Sequence, residues 1–334
     1  MHRLGQEFES AILAATQATR LHIDDVIQEL WSGYGKILRI SLEGGNVETV
    51  VVKHVRMPGG GRNHPRGWNS SASHARKLKS YEVESAWYRD WGDRCDSTCR
   101  IPRSLAFHTS GDEVLMVLED LDASGFPARL GRVEWRHVEV CLSWLANFHA
   151  TWMGAKPDGL WKIGTYWHLD TRAEELTVLD DPELKAAACA IDERLNSATF
   201  QTFVHGDAKL ANFCFSRSGD QVAAVDFQYV GGGCGMKDVA YFVGSCLDEN
   251  GSERMEARVL EYYFTALRDG LKRRARPVDS VDPDAVIAEW RDLYAVAWTD
   301  FHRFLKGWSP GHWKINSYSE RLAREVVALA RLSK

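Results

Sequence analysis

The chain has 334 residues, of which 45% are hydrophobic and 26% charged, an ordinary balance for a globular protein that argues against a disordered or membrane class. A net charge of −5 gives no electrostatic footprint for nucleic acid, and Met1–Arg20, broken by Thr16, Gln17 and Thr19, lacks the apolar core of a targeting segment. No stretch approaches transmembrane length, so neither nucleic acid nor membrane is expected as a partner.

Seven cysteines scattered from Cys95 to Cys246 read as free thiols in a reducing compartment, and a cytoplasmic location is the expectation. Cys95 and Cys99 form the closest pair, but without a second such pair they carry little zinc signal. The length suits two domains or one bilobal unit.

Phe8, Ala11, Ile12, Ala15 and Ala18 share one helical side and predict an amphipathic helix over residues 8–21. A strand is then expected over residues 26–31, a tight turn at Ser32-Gly33-Tyr34-Gly35, a returning strand over 36–42 and, after a hairpin turn at residues 43–46, a third strand over 47–55. Gly33 and Gly35 are candidates for letting backbone amides approach a bound anion, although any hairpin can carry Gly-x-Gly. Lys53 is more telling, as a single lysine closing the apolar run Val50-Val51-Val52. On an edge strand it would be no more than a solubility device.

Residues 58–73, rich in Gly, Pro, Asn and Ser, predict a mobile loop. Helical periodicity resumes over 74–91, with Leu78, Tyr81, Ser85 and Tyr88 on one face and Glu82 and Glu84 among its carboxylates. An apolar strand over 114–118 leads into an extended crossover, Glu119-Asp120-Leu121-Asp122, which ends in a turn at residues 123–126. The clearest long helix spans 133–152, where Val138, Cys141, Leu142, Leu145, Phe148 and Trp152 form a core stripe and His149 reads as a satisfied buried histidine. Another helix is expected over 181–195.

Chemistry concentrates between Val204 and Asp226. Asp207 and Asn212 stand five apart in His205-Gly206-Asp207-Ala208-Lys209-Leu210-Ala211-Asn212, and Asp226 follows a turn and the short apolar run Ala223-Ala224-Val225. This is kinase catalytic-loop spacing. Transfer of a γ-phosphoryl group needs a proton acceptor, oxygen ligands for magnesium and cations against phosphate charge. Asp207 is the candidate base, Asn212 and Asp226 the metal ligands, Lys209 the cation, and Lys53 the contact to the α and β phosphates of ATP. His205 is expected to orient the loop by hydrogen bonding. The bland alternative, a turn followed by an unrelated strand-end aspartate, must explain six specified positions in order.

After Asp226, Gly231–Gly235 reads as a flexible segment, and Asp238 as a cap on the helix it opens. The segment is short and has no Ala-Pro-Glu anchor, which disfavours a protein substrate. Helices are expected over 252–271, 284–305 and 317–332; the basic run 272–276 complements a helix end, and Ser317-Tyr318-Ser319-Glu320 matches a capping box. Trp298, Phe301 and Trp313 are expected to border an apolar or mixed acceptor pocket, at least one of the three lining it, where a cationic or partly apolar alcohol rests on aromatic faces and Asp300 adds charge complementarity.

At His205-Gly206-Asp207 and Asp226-Phe227-Gln228 the sequence resembles the aminoglycoside phosphotransferase and choline kinase superfamily, and within it the ecdysteroid kinase-like branch. Lys209 stands where many members place an aromatic residue or histidine, and Gln228 where protein kinases carry glycine. The resemblance implies an α+β, bilobal protein kinase-like fold: an N-terminal antiparallel five-stranded sheet lobe over residues 1–120 and a mainly helical C-terminal lobe over 121–334. It also implies that Glu84 holds Lys53, since members share an acidic residue followed by an aromatic pair, here Trp87-Tyr88, with Glu82 as the rival. Backbone groups of Glu119 and Leu121 would meet adenine at the hinge. The expected function is ATP- and magnesium-dependent phosphorylation of a hydroxyl on a small molecule. The alternatives are a protein kinase and a non-catalytic nucleotide-binding module, which would normally have lost its base, lysine or metal ligand.

Overall fold

The computed structural model describes residues 4–30, 33–56, 71–274 and 281–332. The loop expected over 58–73 lies outside them except for its last three residues, which already belong to a helix.

Helix α1 (Gln6–Thr16) ends where Gln17 turns left-handed, with φ of 56°. Its apolar spacing had suggested a longer helix, but the chain reverses there and β1 (Arg20–Glu29) begins six residues before the strand expected at Val26. Val26 and Ile27 are themselves exposed on this edge strand, so their hydrophobicity marked the wrong boundary. β2 (Gly35–Glu43), β3 (Thr49–Arg56), β4 (Ser104–Ser110) and β5 (Glu113–Glu119) complete an antiparallel sheet of order β1-β2-β3-β5-β4. β4 is a half-buried edge strand with His108, Thr109 and Ser110 at its end, and no apolar run announced it.

Alternation along β3 sorts its side chains. Val50 and Val52 join Leu38, Ile40, Leu115 and Val117 beneath Leu4, Phe8 and Ile12. Val55, on the other face, joins Met116 and Leu118 against Tyr81, Val83 and Trp87. Lys53 has the parity of Val55 and sits between Ile37 and Met116 in the middle of the sheet. It is therefore no edge lysine.

The Tyr81 face belongs to α2 (Ser71–Ala86), which runs on into a π-helical turn at Trp87–Trp91. Beyond the sheet the chain is mainly helical: α3 (Trp135–Thr151), α4 (Ala173–Thr177), α5 (Pro182–Asn196), α6 (Met236–Cys246), α7 (Glu249–Arg274), α8 (Pro283–Trp308) and α9 (Ser317–Leu332). Asp181 caps α5 through the Leu184 amide, with Pro182 in its first turn, an arrangement suited to a helix start. Three-residue strands β6 (Thr202–Val204), β7 (Phe213–Phe215), β8 (Val222–Ala224) and β9 (Gly231–Gly233) form two ribbons, β6 with β9 and β7 with β8. Among the described residues no helix is long and apolar enough to cross a membrane, and all seven cysteines are free.

Two local expectations need correction and a third is extended. The glycine run after Asp226 is a buried strand, and a Cβ on Gly231 would stand 2.2 Å from the Trp161 carbonyl oxygen. Glycine is there for close approach rather than flexibility. The cap of α9 lies one residue earlier than expected: Asn316 Oδ1 accepts from the Ser319 amide at 3.0 Å, while the Asn316 amide donates to Ser319 Oγ at 3.1 Å. At the basic end of α7, Arg273 reaches Asn147 at 2.5 Å and Arg274 pairs with Asp96 at 3.1 Å. They tie α7 to its neighbours as well as facing its dipole.

Candidate active site

The loop after β6 is held from below. Gly206 has φ of 80°, and a Cβ there would fall 2.1 Å from the Tyr229 carbonyl oxygen, so only glycine fits. Asp238 was expected to cap α6. It lies fully buried inside the helix and instead accepts from the amides of His205 at 2.5 Å and Gly206 at 2.9 Å. The first turn of α6 packs under the loop, so its carboxylate meets another segment's orphan donors. His149, buried as expected, stands 3.1 Å from Asp238 through Nε2 and 2.7 Å from the Tyr263 hydroxyl through Nδ1. With Nε2–H donating to Asp238, Nδ1 accepts from the tyrosine.

His205 does the same work one layer up. Its Nε2 donates to the Val225 carbonyl at 3.1 Å and its Nδ1 accepts from the Asp207 amide at 3.3 Å. The ring thereby ties the segment bearing Asp207 to the one bearing Asp226. A second tie runs from the Val225 amide to the Asn212 carbonyl at 3.0 Å. Phe227 stacks on Trp87 at 4.7 Å, anchoring the residue after Asp226 in the core.

Asp207 is buried and ringed by its own loop. Lys209 Nζ lies 2.8 Å from Oδ2, and Asn212 Nδ2 donates to the Asp207 carbonyl at 2.8 Å and to Oδ2 at 3.1 Å. Burial raises the Asp207 carboxyl above its ordinary range, with Lys209 opposing that shift. Asp226 is displaced the other way: burial works against its ionisation, but Lys53, Lys209 and Lys77 together hold its carboxyl below the usual range. Its φ of 70° is unusual for a residue with a side chain, and such backbone strain gathers at functional sites.

Glu84 rather than Glu82 meets the β3 lysine. Lys53 Nζ lies 2.6 Å from Glu84 Oε2 and 3.7 Å from Asp226 Oδ1, while Glu82 is exposed and pairs with Lys79 at 3.4 Å. The two glutamates are about 200° apart on α2, so only one can face the sheet. Lys77, two turns before Glu84 on the same face, donates to Gln228 Oε1 at 2.7 Å, and Gln228 Nε2 donates to Asp226 Oδ1 at 2.8 Å. Burial drops the Lys77 ammonium to about 8.

Among the described residues no group of three or more His, Cys, Asp and Glu side chains gathers as a metal site. Magnesium seldom asks for one, since it keeps waters and shares one or two protein oxygens with substrate phosphates. The donor set here fits that habit. Asn212 spends its Nδ2 on Asp207, which turns its amide oxygen to other partners, and Asp226 takes its protein contacts through Oδ1.

The glycine turn and the crossover are committed to the fold. The Gly33 amide donates to the Leu30 carbonyl at 3.2 Å, and a Cβ on Gly35 would stand 1.9 Å from the His54 carbonyl oxygen. At the end of β5 the Glu119 amide donates to the Arg103 carbonyl, while the Leu121 carbonyl accepts from Phe126. Asp120 and Asp122 both bind Arg39 of β2, at 2.9 and 2.5 Å, pinning the crossover to the sheet.

A cleft of about 500 Å³ opens beside Asp207 and Lys209, lined by Tyr166, Tyr229, Tyr241, Phe301, Trp308, Trp313 and Lys314 among others. Phe301 and Trp313 thus face it. Trp298 does not, being buried against Gly244 and set edge-on to Tyr318 at 5.4 Å. Asp300, expected to lend charge to an acceptor, is fully buried and bound to Arg303 at 2.8 Å and to Trp167 Nε1 at 3.1 Å. Beyond Lys209, the cleft holds a second cation, Lys314, whose Nζ lies 4.8 Å from the Tyr241 ring centre, 5.5 Å from Phe301 and 5.6 Å from Trp313. Burial brings its ammonium down to about 8.

Of the residues singled out from the sequence, Lys53, Glu84, Asp207, Lys209, Asn212 and Asp226 are linked by these contacts, whereas Gly33 and Gly35 lie at the β1–β2 turn and Glu119 and Leu121 at the end of β5. Sequence reasoning missed Lys77, Lys314 and the role of Asp238. The seven-residue spacing from Lys77 to Glu84 was a usable signal for the first; Lys314 follows a Ser-Pro-Gly linker with no periodicity to orient it.

Residues 171–275 match the model of the ecdysteroid kinase-like family. No curated protein matches the chain. Choline kinase from Cryptosporidium parvum Iowa II superposes with a TM-score of 0.53 at 9% identity, covering 94% of this chain and 89% of that one, and shows the shared protein kinase-like fold. A putative fructosamine-3-kinase from Haemophilus somnus 129PT superposes at 0.48, with 13% identity and coverage of 96% and 95%. Aminoglycoside phosphotransferase APH(3'')-Id from Streptomyces rimosus ATCC10970, solved with ADP and streptomycin, superposes at 0.46, with 13% identity and coverage of 86% and 97%. The resemblance read at His205–Asp207 and Asp226–Gln228 stands with the family match and the shared fold.

Proposed function

We propose that this protein is a small-molecule kinase that transfers the γ-phosphoryl of ATP, with magnesium, to a hydroxyl of an acceptor seated in the cleft beside Asp207. One observation carries the reading. A buried carboxylate, fixed through its own backbone, its neighbour Asn212 and the Asp238 anchor, forms part of an open cleft and shares its surroundings with a lysine–glutamate–aspartate cluster.

In this reading the acceptor hydroxyl gives its proton to the Asp207 carboxylate as its oxygen bonds to the γ-phosphorus and the bond to the β–γ bridging oxygen breaks, releasing ADP. Burial favours proton uptake by Asp207, which suits a base. Lys209, two residues on, supplies positive charge at the transferring group. Lys53, oriented by Glu84, binds the α and β phosphates. Bound between Asn212 and Asp226, magnesium would neutralise charge on the β and γ phosphates. The backbone at Glu119 and Leu121 and the turn at Gly33 and Gly35 border the nucleotide, with a lobe boundary near residue 120 and a cytoplasmic setting for the free thiols.

The test is a screen of ATP consumption and thermal shift across alcohols, amino alcohols, sugars, sterols and hydroxy acids, with Asp207→Asn as control. A phosphorylated metabolite made by the parent protein and not by the variant supports the reading. Magnesium-ATP binding without turnover on any alcohol would leave a nucleotide-binding module instead, and a phosphorylated protein product would revive the protein kinase.

A further inference from the structure

We propose, resting on the reading that this cleft receives the acceptor, that the acceptor is a flat apolar alcohol carrying an anionic group and that Lys314 is the residue that recognises the anion. An ammonium acceptor asks for a carboxylate or for bare aromatic faces. Among the described residues Asp207 is the carboxylate of the cleft lining, and Lys209 already lies 2.8 Å from it. Asp300, the next candidate, is enclosed and spent on Arg303 and Trp167. The aromatic faces are taken as well, since Lys314 lies over Tyr241, Phe301 and Trp313. A second cation would displace or repel it.

Among the described residues Lys314 itself has no carboxylate in contact, only the longer-range attraction of Asp207, which repulsion from Lys209 opposes. A largely buried ammonium without a carboxylate in ion-pairing distance is an unusual expense for a fold. Its backbone is nevertheless pinned: the Lys314 amide donates to His312 Nδ1 at 3.2 Å, and its carbonyl accepts from Ser319 Oγ at 3.1 Å. The side chain is thus presented from a fixed point into a cleft lined largely by aromatic residues. An aromatic or similarly flat body against those rings, with an anion at Lys314 and a hydroxyl toward Asp207, satisfies each group in turn.

Three matched probes separate the possibilities: para-hydroxymethylbenzoate, its neutral carboxamide, and para-aminomethylbenzyl alcohol. Binding to the full chain is read by quenching of tryptophan fluorescence, with and without magnesium-ATP. The benzoate is expected to bind about tenfold more tightly than the carboxamide, with the ammonium compound weakest. Lys314→Met should reduce that preference to about twofold or less, Lys314→Arg should keep it, and Lys314→Glu should favour the ammonium compound. Circular dichroism melts establish that each variant is folded. The proposal falls if the benzoate fails to bind at millimolar concentration, if the ammonium compound binds as well, or if Lys314→Met keeps the preference. It also falls if Lys314→Met weakens only magnesium-ATP, because Lys314 would then serve the nucleotide. Binding is measured without turnover, so the two readings fail separately. A Lys314-dependent anion preference with no product from any alcohol would sink the kinase and keep the anion site, whereas product formed equally well from the ammonium compound would do the reverse.

Discussion

On one side of Asp207 stand Lys53, Glu84 and Asp226, a cluster whose members come from the middle of a sheet, the inner face of a long helix and the end of a buried ribbon. On the other side lies a cleft whose second cation, Lys314, belongs to the connection between α8 and α9 and rests on aromatic faces without a carboxylate partner among the described residues. The first side is over-determined: Lys53 has Ile37 and Met116 beside it in the ladder, and Glu84 is fixed by the helix that buries Tyr81 and Trp87. The second leaves one charge without a carboxylate in contact among the described residues. Charges that a fold answers internally hold a geometry, whereas an unanswered charge in an open cleft is available to a ligand, and the two sides of Asp207 divide on that line.

The largest effect expected is at the junction. Asp207→Asn should lower turnover by about 10²- to 10⁴-fold, the usual worth of a positioned base, while nucleotide affinity stays within about twofold. Single-turnover kinetics and nucleotide titration check it. Unchanged turnover would remove Asp207 from the chemistry and with it the reason to compare two sides at all.

A change beneath the junction should damage both sides together. Asp238→Ala leaves the His205 and Gly206 amides and the His149 ring without their acceptor in a fully buried place. Each buried donor stripped of its partner costs about 1–3 kcal/mol, so with three donors affected chemical denaturation should show a loss of at least about 3 kcal/mol. A loss under about 0.5 kcal/mol would mean that the loop is held by other contacts.

Within the answered side, the two glutamates of α2 offer an internal control. Glu84→Gln removes the charge 2.6 Å from Lys53 but leaves Asp226 at 3.7 Å, so a cost of about 1–3 kcal/mol is expected, below that of a pair losing its only partner. Weaker nucleotide binding should accompany it. Glu82→Gln, at an exposed pair with Lys79, should stay within about 0.5 kcal/mol. Equal effects from the two would erase the distinction between a carboxylate facing the sheet and one facing water.

How legible each side was follows from the same contrast. The loop from His205 to Asn212 and Lys53 occupy positions dictated by local pattern, a loop of fixed spacing between two short apolar runs and a strand that alternates, whereas Glu84 was preferred to Glu82 through the family resemblance. Asp238 was misread because helix-start rules concern a helix's own amides, and nothing in the sequence says that α6 begins beneath another segment. Trp298, Phe301 and Trp313 were indistinguishable as aromatic residues of one tail, yet packing against Gly244 and Tyr318 removed the first, while the α8–α9 connection exposed the last. Asp300 looked like a free carboxylate until Arg303, three residues on, claimed it. Such outcomes depend on tertiary neighbours, which periodicity does not report.

The smallest effect expected is at Trp313, and it tests whether the unanswered side is a ligand site or only a surface. This residue is 59% exposed, and its ring stacks on His312 at 5.9 Å while lying 5.6 Å from the Lys314 ammonium. Little of the core depends on it, so Trp313→Ala should change stability by no more than about 0.5 kcal/mol. Its ring nevertheless supplies part of the cleft wall and one of three aromatic faces around the lysine. A cation–π contact of this kind is worth about 0.5–1 kcal/mol at an exposed site, and an apolar acceptor resting on the same ring would lose a similar amount. The variant should therefore raise the acceptor KM a few-fold while leaving kcat and nucleotide affinity unaltered, as expected when binding is lost equally from ground state and transition state. If Trp313→Ala instead destabilises the fold and leaves the acceptor KM untouched, the tryptophan serves the packing of the α8–α9 connection, and the cleft's outer wall must be drawn at Trp308.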